Sequence, residues 1–432
     1  MPHRWVGLHA PVAALLAAAA TAHAAPPSSP RPAPRATPPP DLPPGDAERM
    51  RELPVGAGTF RPGRGLEVAS ADGRFSLNLS LWAQILYTLR DEPAAADHPA
   101  ALTNALELRR ARVVLTGKLF SPHFAYHAHL MFAPRDLAVK DGIPRRAPLF
   151  QWFGAFTRLR HANIQAGFFF VPYARQRMQP IPRLQMVDNS SASYEFTLDQ
   201  DIGVQVSSPD VAGLGKLRYY AGVFMGEGYE WYRASDLGLT YVGRVDLLPF
   251  GLFDDYSEVD HDRTWRPRLA IGAGYGYSDR DRRTRAIAGA AFADGGSMRS
   301  HNLTADLVFK IGGLSLLLDV YYRQGHRLPG GAVDDLGALV PVQAARNGFG
   351  WTAQLGHFIP RTRLEGSARW SSVRAARRLG SSLQDLDEVG AGVGYYFLRH
   401  ALKLQADYFH TFGPGVATGT AEQLRVQLQV SL

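Results

Sequence analysis

Arginine and lysine at alternate positions of an extended segment place a row of positive charges on one face. Arg110 and Arg112, followed by Lys118, show this spacing most clearly, and Arg218, Arg244 and Arg268 sit comparably in later segments. A guanidinium stays charged at any physiological pH and offers a planar fork of donors that matches phosphate or carboxylate oxygens. Such a row recognises anions without making or breaking a bond. Bond-making chemistry finds no similar support. Ser, His and Asp residues are scattered, with no G-x-S-x-G and no triad spacing. His127 and His129 share a face at i and i+2 but lack the third ligand that a metal centre needs. There is no cysteine, hence no disulfide framework and no thiolate site. No catalytic residue, metal or cofactor is expected.

The elements that would hold the arginines are strands. In residues 74–90, Phe75, Leu77, Leu79, Leu81, Ala83, Ile85, Tyr87 and Leu89 alternate with a mostly polar set that ends at Arg90. A period of two kept this long suits a wall between lipid and water, since strands of soluble proteins run only ~5–6 residues. The pattern recurs at 104–119, 123–133, 149–159, 163–172, 200–208, 216–225, 238–249, 266–277, 299–311, 314–325, 347–360, 362–373, 387–398, 401–412 and 421–432. The expected fold is all-β: a transmembrane antiparallel β-barrel of about sixteen strands. Tight connections such as Gly312-Gly313 and Pro360-Arg361 alternate with long ones, as short periplasmic turns and long outer loops would. The stretch 250–265 breaks this rule, being long where a short turn belongs.

The N-terminus reads as an address. Arg4, the apolar run 11–20 and Ala22-His23-Ala24 form a signal peptide over residues 1–24. Residues 25–59 follow as a Pro-rich periplasmic linker, and the barrel is placed at 60–432. The formal charge of +8 becomes +7 once Arg4 is removed. Nucleic acid is not an expected partner of an exported chain; a basic lumen is the better use of this charge. The oily exterior makes outer-membrane lipid and lipopolysaccharide its surroundings.

If the oily face of each strand meets lipid, the lumen receives Arg90, Arg110, Arg112, Lys118, Arg218, Arg244, Arg268, Lys310, Arg323, Arg363, Arg369, Lys403 and Arg425. Asp201, Asp246, Asp306, Asp319, Glu365, Glu388 and Asp407 share that face, leaving a surplus of about six positive charges. The longest connection, 173–199, is expected to fold inward as a constriction loop bearing Arg175, Arg177 and Arg183. A solvated wall is the plain reading of any single arginine. As a set they imply an anion-favouring lining.

Several short runs stand in order along the chain: Arg61-Pro62-Gly63 through Asp72-Gly73-Arg74-Phe75, Arg109-Arg110-Ala111-Arg112 with Gly117-Lys118-Leu119, Gly167 to Tyr173, Asp201-Ile202-Gly203-Val204, and Tyr241 to Val245. In these runs the chain resembles, from about residue 60 to its end, the phosphate-selective porin family of the O/P type. The resemblance implies a sixteen-stranded homotrimeric channel that passes small anions, phosphate first and polyphosphate in some members, with Arg110, Arg112, Lys118 and Arg244 at matching positions. Gln200 stands where the family pattern has Arg before Asp-Ile-Gly, and the chain ends in Leu432 where many barrels end in Phe. Two alternatives remain: a non-selective general diffusion porin, and a barrel enzyme such as a phospholipase or protease.

Overall fold

The computed structural model describes residues 53–55, 58–94, 99–140, 143–230 and 238–432. The signal peptide and nearly all of the Pro-rich linker lie outside them. Sixteen antiparallel strands form one closed barrel: β1 Ser76–Glu92, β2 Ala101–Lys118, β3 Phe124–Met131, β4 Leu149–Phe156, β5 Asn163–Phe170, β6 Gln200–Ser208, β7 Leu217–Phe224 and β8 Thr240–Leu247, followed by β9 Arg268–Asp281, β10 Ser297–Ile311, β11 Leu314–Leu328, β12 Gly348–Phe358, β13 Leu364–Ala375, β14 Leu386–His400, β15 Leu402–Phe412 and β16 Thr420–Ser431. Each strand pairs with its sequence neighbours, and β16 closes on β1 from Glu422↔Asp91 to Ser431↔Trp82. Closure leaves no unpaired edge along the wall. No helix among the described residues is long and apolar enough to cross a membrane.

The burial pattern is inside out, as alternation requires. Leu77, Leu81, Ile85 and Tyr87 of β1 are exposed on the exterior, whereas Gln84 is buried on the interior. Along β16, Leu424, Leu428 and Val430 face out, while Arg425, Gln427 and Gln429 are buried within. An apolar outer band with a polar inner face is the signature of a membrane barrel.

The turn chemistry agrees with the pairing. Gly312 and Gly313 connect β10 to β11 with φ of 57° and 91°, the double positive φ of a tight hairpin turn whose twist suits the strands. A Cβ at Gly312 would come within 2.9 Å of the Trp265 ring.

Two features depart from the simple pattern. First, β2 carries a β-bulge: Gln84 faces Arg110, but Ile85 faces Leu108. The extra residue, Arg109, reverses the strand's parity. Leu102, Leu106 and Leu108 point outward on one side of it, and Arg110 and Arg112 point inward on the other. Second, residues 250–265 do not form an ordinary turn. They fold back into the lumen, burying Asp255, Ser257, Glu258 and Asp260.

Ahead of the barrel, Gly58–Arg61 and Gly65–Ala69 form a hairpin. Its second strand pairs with β1 from Leu66↔Leu79 to Ala69↔Ser76. The hairpin therefore extends the wall beside the start of β1, where β16 has already ended. The first strand of the closed barrel starts at Ser76, close to the expected 74.

Candidate functional site

The loop between β5 and β6 runs inside the barrel. Two short helical turns, α1 (Arg175–Met178) and α2 (Ser191–Phe196), interrupt it, and the Ser190 hydroxyl caps α2 by accepting from the Ser193 N–H at 3.2 Å. Its partners come from strands all round the wall. Arg323 of β11 donates to the Glu195 carbonyl, Thr352 of β12 to Ser190, and Lys403 of β15 to the Leu184 carbonyl at 2.7 Å. Asp188 receives Arg109 and Arg110 of β2 and Arg425 of β16, at 3.2, 2.7 and 3.2 Å. Only a segment within the lumen reaches β2, β11 and β16 together. The loop therefore folds inward across the lumen.

The cations named from sequence meet carboxylates of two kinds: strand acids that alternation had counted, such as Asp246 and Asp306, and loop acids that it had not, such as Asp255. Arg175 of the loop, Arg218 of β7 and Arg244 of β8 share Asp246, Asp255 and Asp306. Three guanidiniums against three carboxylates tie the loop and the folded-in turn to the wall. Charges this buried require such partners, because an isolated one would cost several kcal/mol. Arg244 also donates to the Tyr173 carbonyl at 2.9 Å. Arg268 pairs with Asp260 at 2.6 Å and Asp262 at 3.0 Å, Arg183 with Asp254 at 2.9 Å, and Arg177 with Asp199 at 2.6 Å. Arg112 pairs with Asp136 at 2.8 Å. Lys310 donates to the carbonyls of Asp254, Ser257 and Val259, at 2.6–3.0 Å. Lys118 is exposed at the end of β2, in a groove shared with Arg61 and Glu67 of the hairpin. Arg90 is half exposed and pairs with Glu92.

The surplus of about six charges on the wall is therefore largely met from the loops. Asp136, Asp188, Glu195 and Asp199 serve on one side, and the acids of residues 254–262 on the other. Sequence reasoning missed Arg109 and this second group. Strict alternation put Arg109 on the lipid face, where a charge near the bilayer midplane costs ~2–4 kcal/mol, and that cost was the signal available for a bulge. The run of acids in 254–262 was a second signal, since basic walls need counter-charges.

Burial by itself would raise the Asp188 carboxyl, but the guanidiniums of Arg110, Arg109 and Arg425 outweigh it and hold the group well below the usual carboxylate range. His261 of the folded-in turn goes the other way. Burial, with Arg399 and Lys310 nearby, depresses it well below the ordinary imidazole value, so it stays neutral. Gln200, at the position where the resemblance leads one to expect Arg, is fully buried and donates to the Phe150 carbonyl at 2.9 Å. Among the described residues, no group of three or more His, Asp or Glu is arranged to hold a metal ion.

What remains open is a cavity of about 710 Å³ against the inner faces of β1 to β7. The constriction loop bounds it through residues 178–183, the folded-in turn through Asp254 to Asp262, and the hairpin through Pro62, Gly63 and Arg64. Six cations line it (Arg64, Arg112, Arg183, Arg268, Lys310 and Arg399) against the three carboxylates Asp254, Asp260 and Asp262. His127, His129, His261 and His400 also line it, with Gln151, Gln165, Gln179 and Gln205 among the neutral polar groups.

No protein-family model matches the chain, and no curated protein does. Among solved structures it is similar to a loop L8 deletion mutant of OmpT, an outer membrane protein of Vibrio cholerae. The identity is 14%, the match covers 82% of this chain and 99% of that one, and the TM-score is 0.50. It is also similar to an anion-selective porin from Comamonas acidovorans, with 10% identity, 82% and 100% of the two chains covered, and a TM-score of 0.51. At these identities the likeness is one of fold: the chain is a closed, sixteen-stranded antiparallel β-barrel of the kind found in outer-membrane proteins.

Proposed function

We propose that this barrel is an outer-membrane channel through which small anions diffuse passively, and that it performs no bond-making chemistry. The observation that carries this reading is the lining of the open cavity, where six cations face three carboxylates and, with Asp136 set against Arg112, two positive charges remain in excess. In a narrow passage with low-dielectric walls, such an excess concentrates anions and repels cations. The pairs around Asp188 and Asp306 hold the constriction loop in place, so the passage keeps its shape. Inorganic phosphate is the solute favoured by the sequence resemblance. The test is a planar-bilayer recording of chloride current with inorganic phosphate added in steps. Anion bias with block at millimolar phosphate or below supports both parts of the reading. Anion bias without block retains the channel and removes phosphate. Replacing Arg110 and Arg112 together by Ala should reduce the bias, and an unchanged bias would remove them from the pathway.

Assembly as a homotrimer belongs to the same proposal, and strand length supports it. Strands β3 to β8 are only 8 or 9 residues long, against 11–18 for the others. At ~3.3 Å per residue and ~45° tilt, eight residues rise ~19 Å, short of a ~25 Å apolar band. This low side, with Trp152, Val204 and Tyr241 exposed on it, is suited to face neighbouring subunits rather than lipid.

A further inference from the structure

One wall of the open cavity is aromatic, and it holds donors that have no acceptor. The Arg112 guanidinium lies 3.8 Å from the centre of the Phe150 ring and 5.7 Å from that of Trp82. His127 stacks on Phe153 at 4.8 Å with 6° between the planes, and His129 meets Phe150 edge-on at 4.7 Å. All six side chains border the cavity. Asp136 occupies only the Nη2 corner of Arg112. Arg112 Nε and Nη1 are donors without an acceptor, and His127 Nε2 and His129 Nε2, donors in the Nε2–H tautomer, also find no partner, with Arg112 only 6% exposed and His129 9%. Buried donors left open in this way carry a desolvation penalty that a ligand oxygen would relieve.

We infer that this cluster is a binding subsite for an aromatic monocarboxylate. The ring would lie against the Trp82, Phe150 and Phe153 shelf, and the carboxylate oxygens would take the free donors of Arg112 and the two imidazoles. The same features disfavour inorganic phosphate. Asp136 already balances the Arg112 charge, so the site offers donors more than net charge. A strongly hydrated dianion would also have to shed water among rings that return no hydrogen bonds. A planar, weakly hydrated body with a single carboxylate meets both conditions. This inference rests on the anion-channel reading and names a ligand class for the same passage.

The test uses the full-length protein in a planar bilayer and compares inhibition of chloride current by benzoate, cyclohexanecarboxylate, acetate and inorganic phosphate. Benzoate should half-inhibit at a concentration about tenfold below that of phosphate or acetate, with the non-planar cyclohexane acid in between. Phe150→Leu should raise the benzoate value about fivefold, and Arg112→Gln at least as much. The wild-type series stands even if a variant fails to fold. Equal potency of benzoate and phosphate, or of benzoate and the cyclohexane acid, overturns the subsite while an anion bias keeps the channel reading intact. A current with no anion bias overturns the channel reading itself.

Discussion

Asp188 offers the sharpest perturbation of the pathway, because one carboxylate sits among three guanidiniums. In Asp188→Asn the charge disappears while the side chain's size is kept. Arg425 retains Asp407 at 2.7 Å and Arg110 retains Gln84 at 2.8 Å, so neither loses its last partner. The loop also keeps its backbone ties, since the Val187 N–H still donates to Asp407 and Arg369 to the Asp188 carbonyl. The fold should survive with a more positive lumen. At ~5 Å from a passing ion and with the dielectric of bulk water, one unit of charge is worth about 0.8 kcal/mol. That corresponds to a factor of about four in the occupancy of each ion, in opposite directions, hence about sixteen in anion over cation occupancy, and the factor should shrink at high salt. The assay is the reversal potential across a bilayer under a KCl gradient, wild type against variant. A shift towards stronger anion selectivity, larger at low salt, is expected. An unchanged potential, or a shift towards cations, would show that the Asp188 cluster does not face the permeating ions.

The remaining predictions follow from the same contacts. The depressed Asp188 carboxyl stays ionised as pH falls through the ordinary carboxylate range. Its contribution to stability is present above the unfolded value of ~3.9 and is lost only as pH drops below that towards the lower folded value. Wild-type selectivity should therefore change little on account of this residue between pH 7 and 4, and Asp188→Asn should remove what acid dependence appears below that range. Deleting Arg109 removes the bulge but keeps the strand's parity, because Leu108 and Arg110 become consecutive residues that already face out and in; the compact, heat-modifiable species on gels should persist, and its loss would contradict the bulge. Lys310→Met leaves three carbonyls of the folded-in turn without their charged donor, at a cost of ~2–4 kcal/mol. A lower unfolding temperature and new protease cleavage within residues 250–265 would show it. Trp152→Glu places a charge on the low outer side and should dissociate the assembly on semi-native gels, whereas the same change at Leu318 on the tall side should not.

The barrel was legible because its signal is local and repeated. Alternation is written into each strand, and for β6 the expected and observed bounds coincide. The inward position of the constriction loop also followed from local information, as a length that a compact barrel would not otherwise carry. What local pattern could not show was charge balance. Arg244 and Asp306 lie far apart in sequence, and Arg175 joins them only because the loop folds back across the lumen. The turn at 250–265 was visible as an irregularity, but its role as the counter-charge for Arg218 and Arg268 depends on contacts between distant segments. Arg109 was misplaced for a smaller reason: a single inserted residue reverses parity, and strict alternation has no means of representing a bulge.

The central claim is that the open lumen of this barrel selects for anions. The most direct measurement is the sign of the reversal potential of the wild-type channel in a tenfold KCl gradient at neutral pH. The six-to-three lining predicts a potential on the chloride side, growing as salt is lowered. A potential near zero, or one on the potassium side, would contradict it.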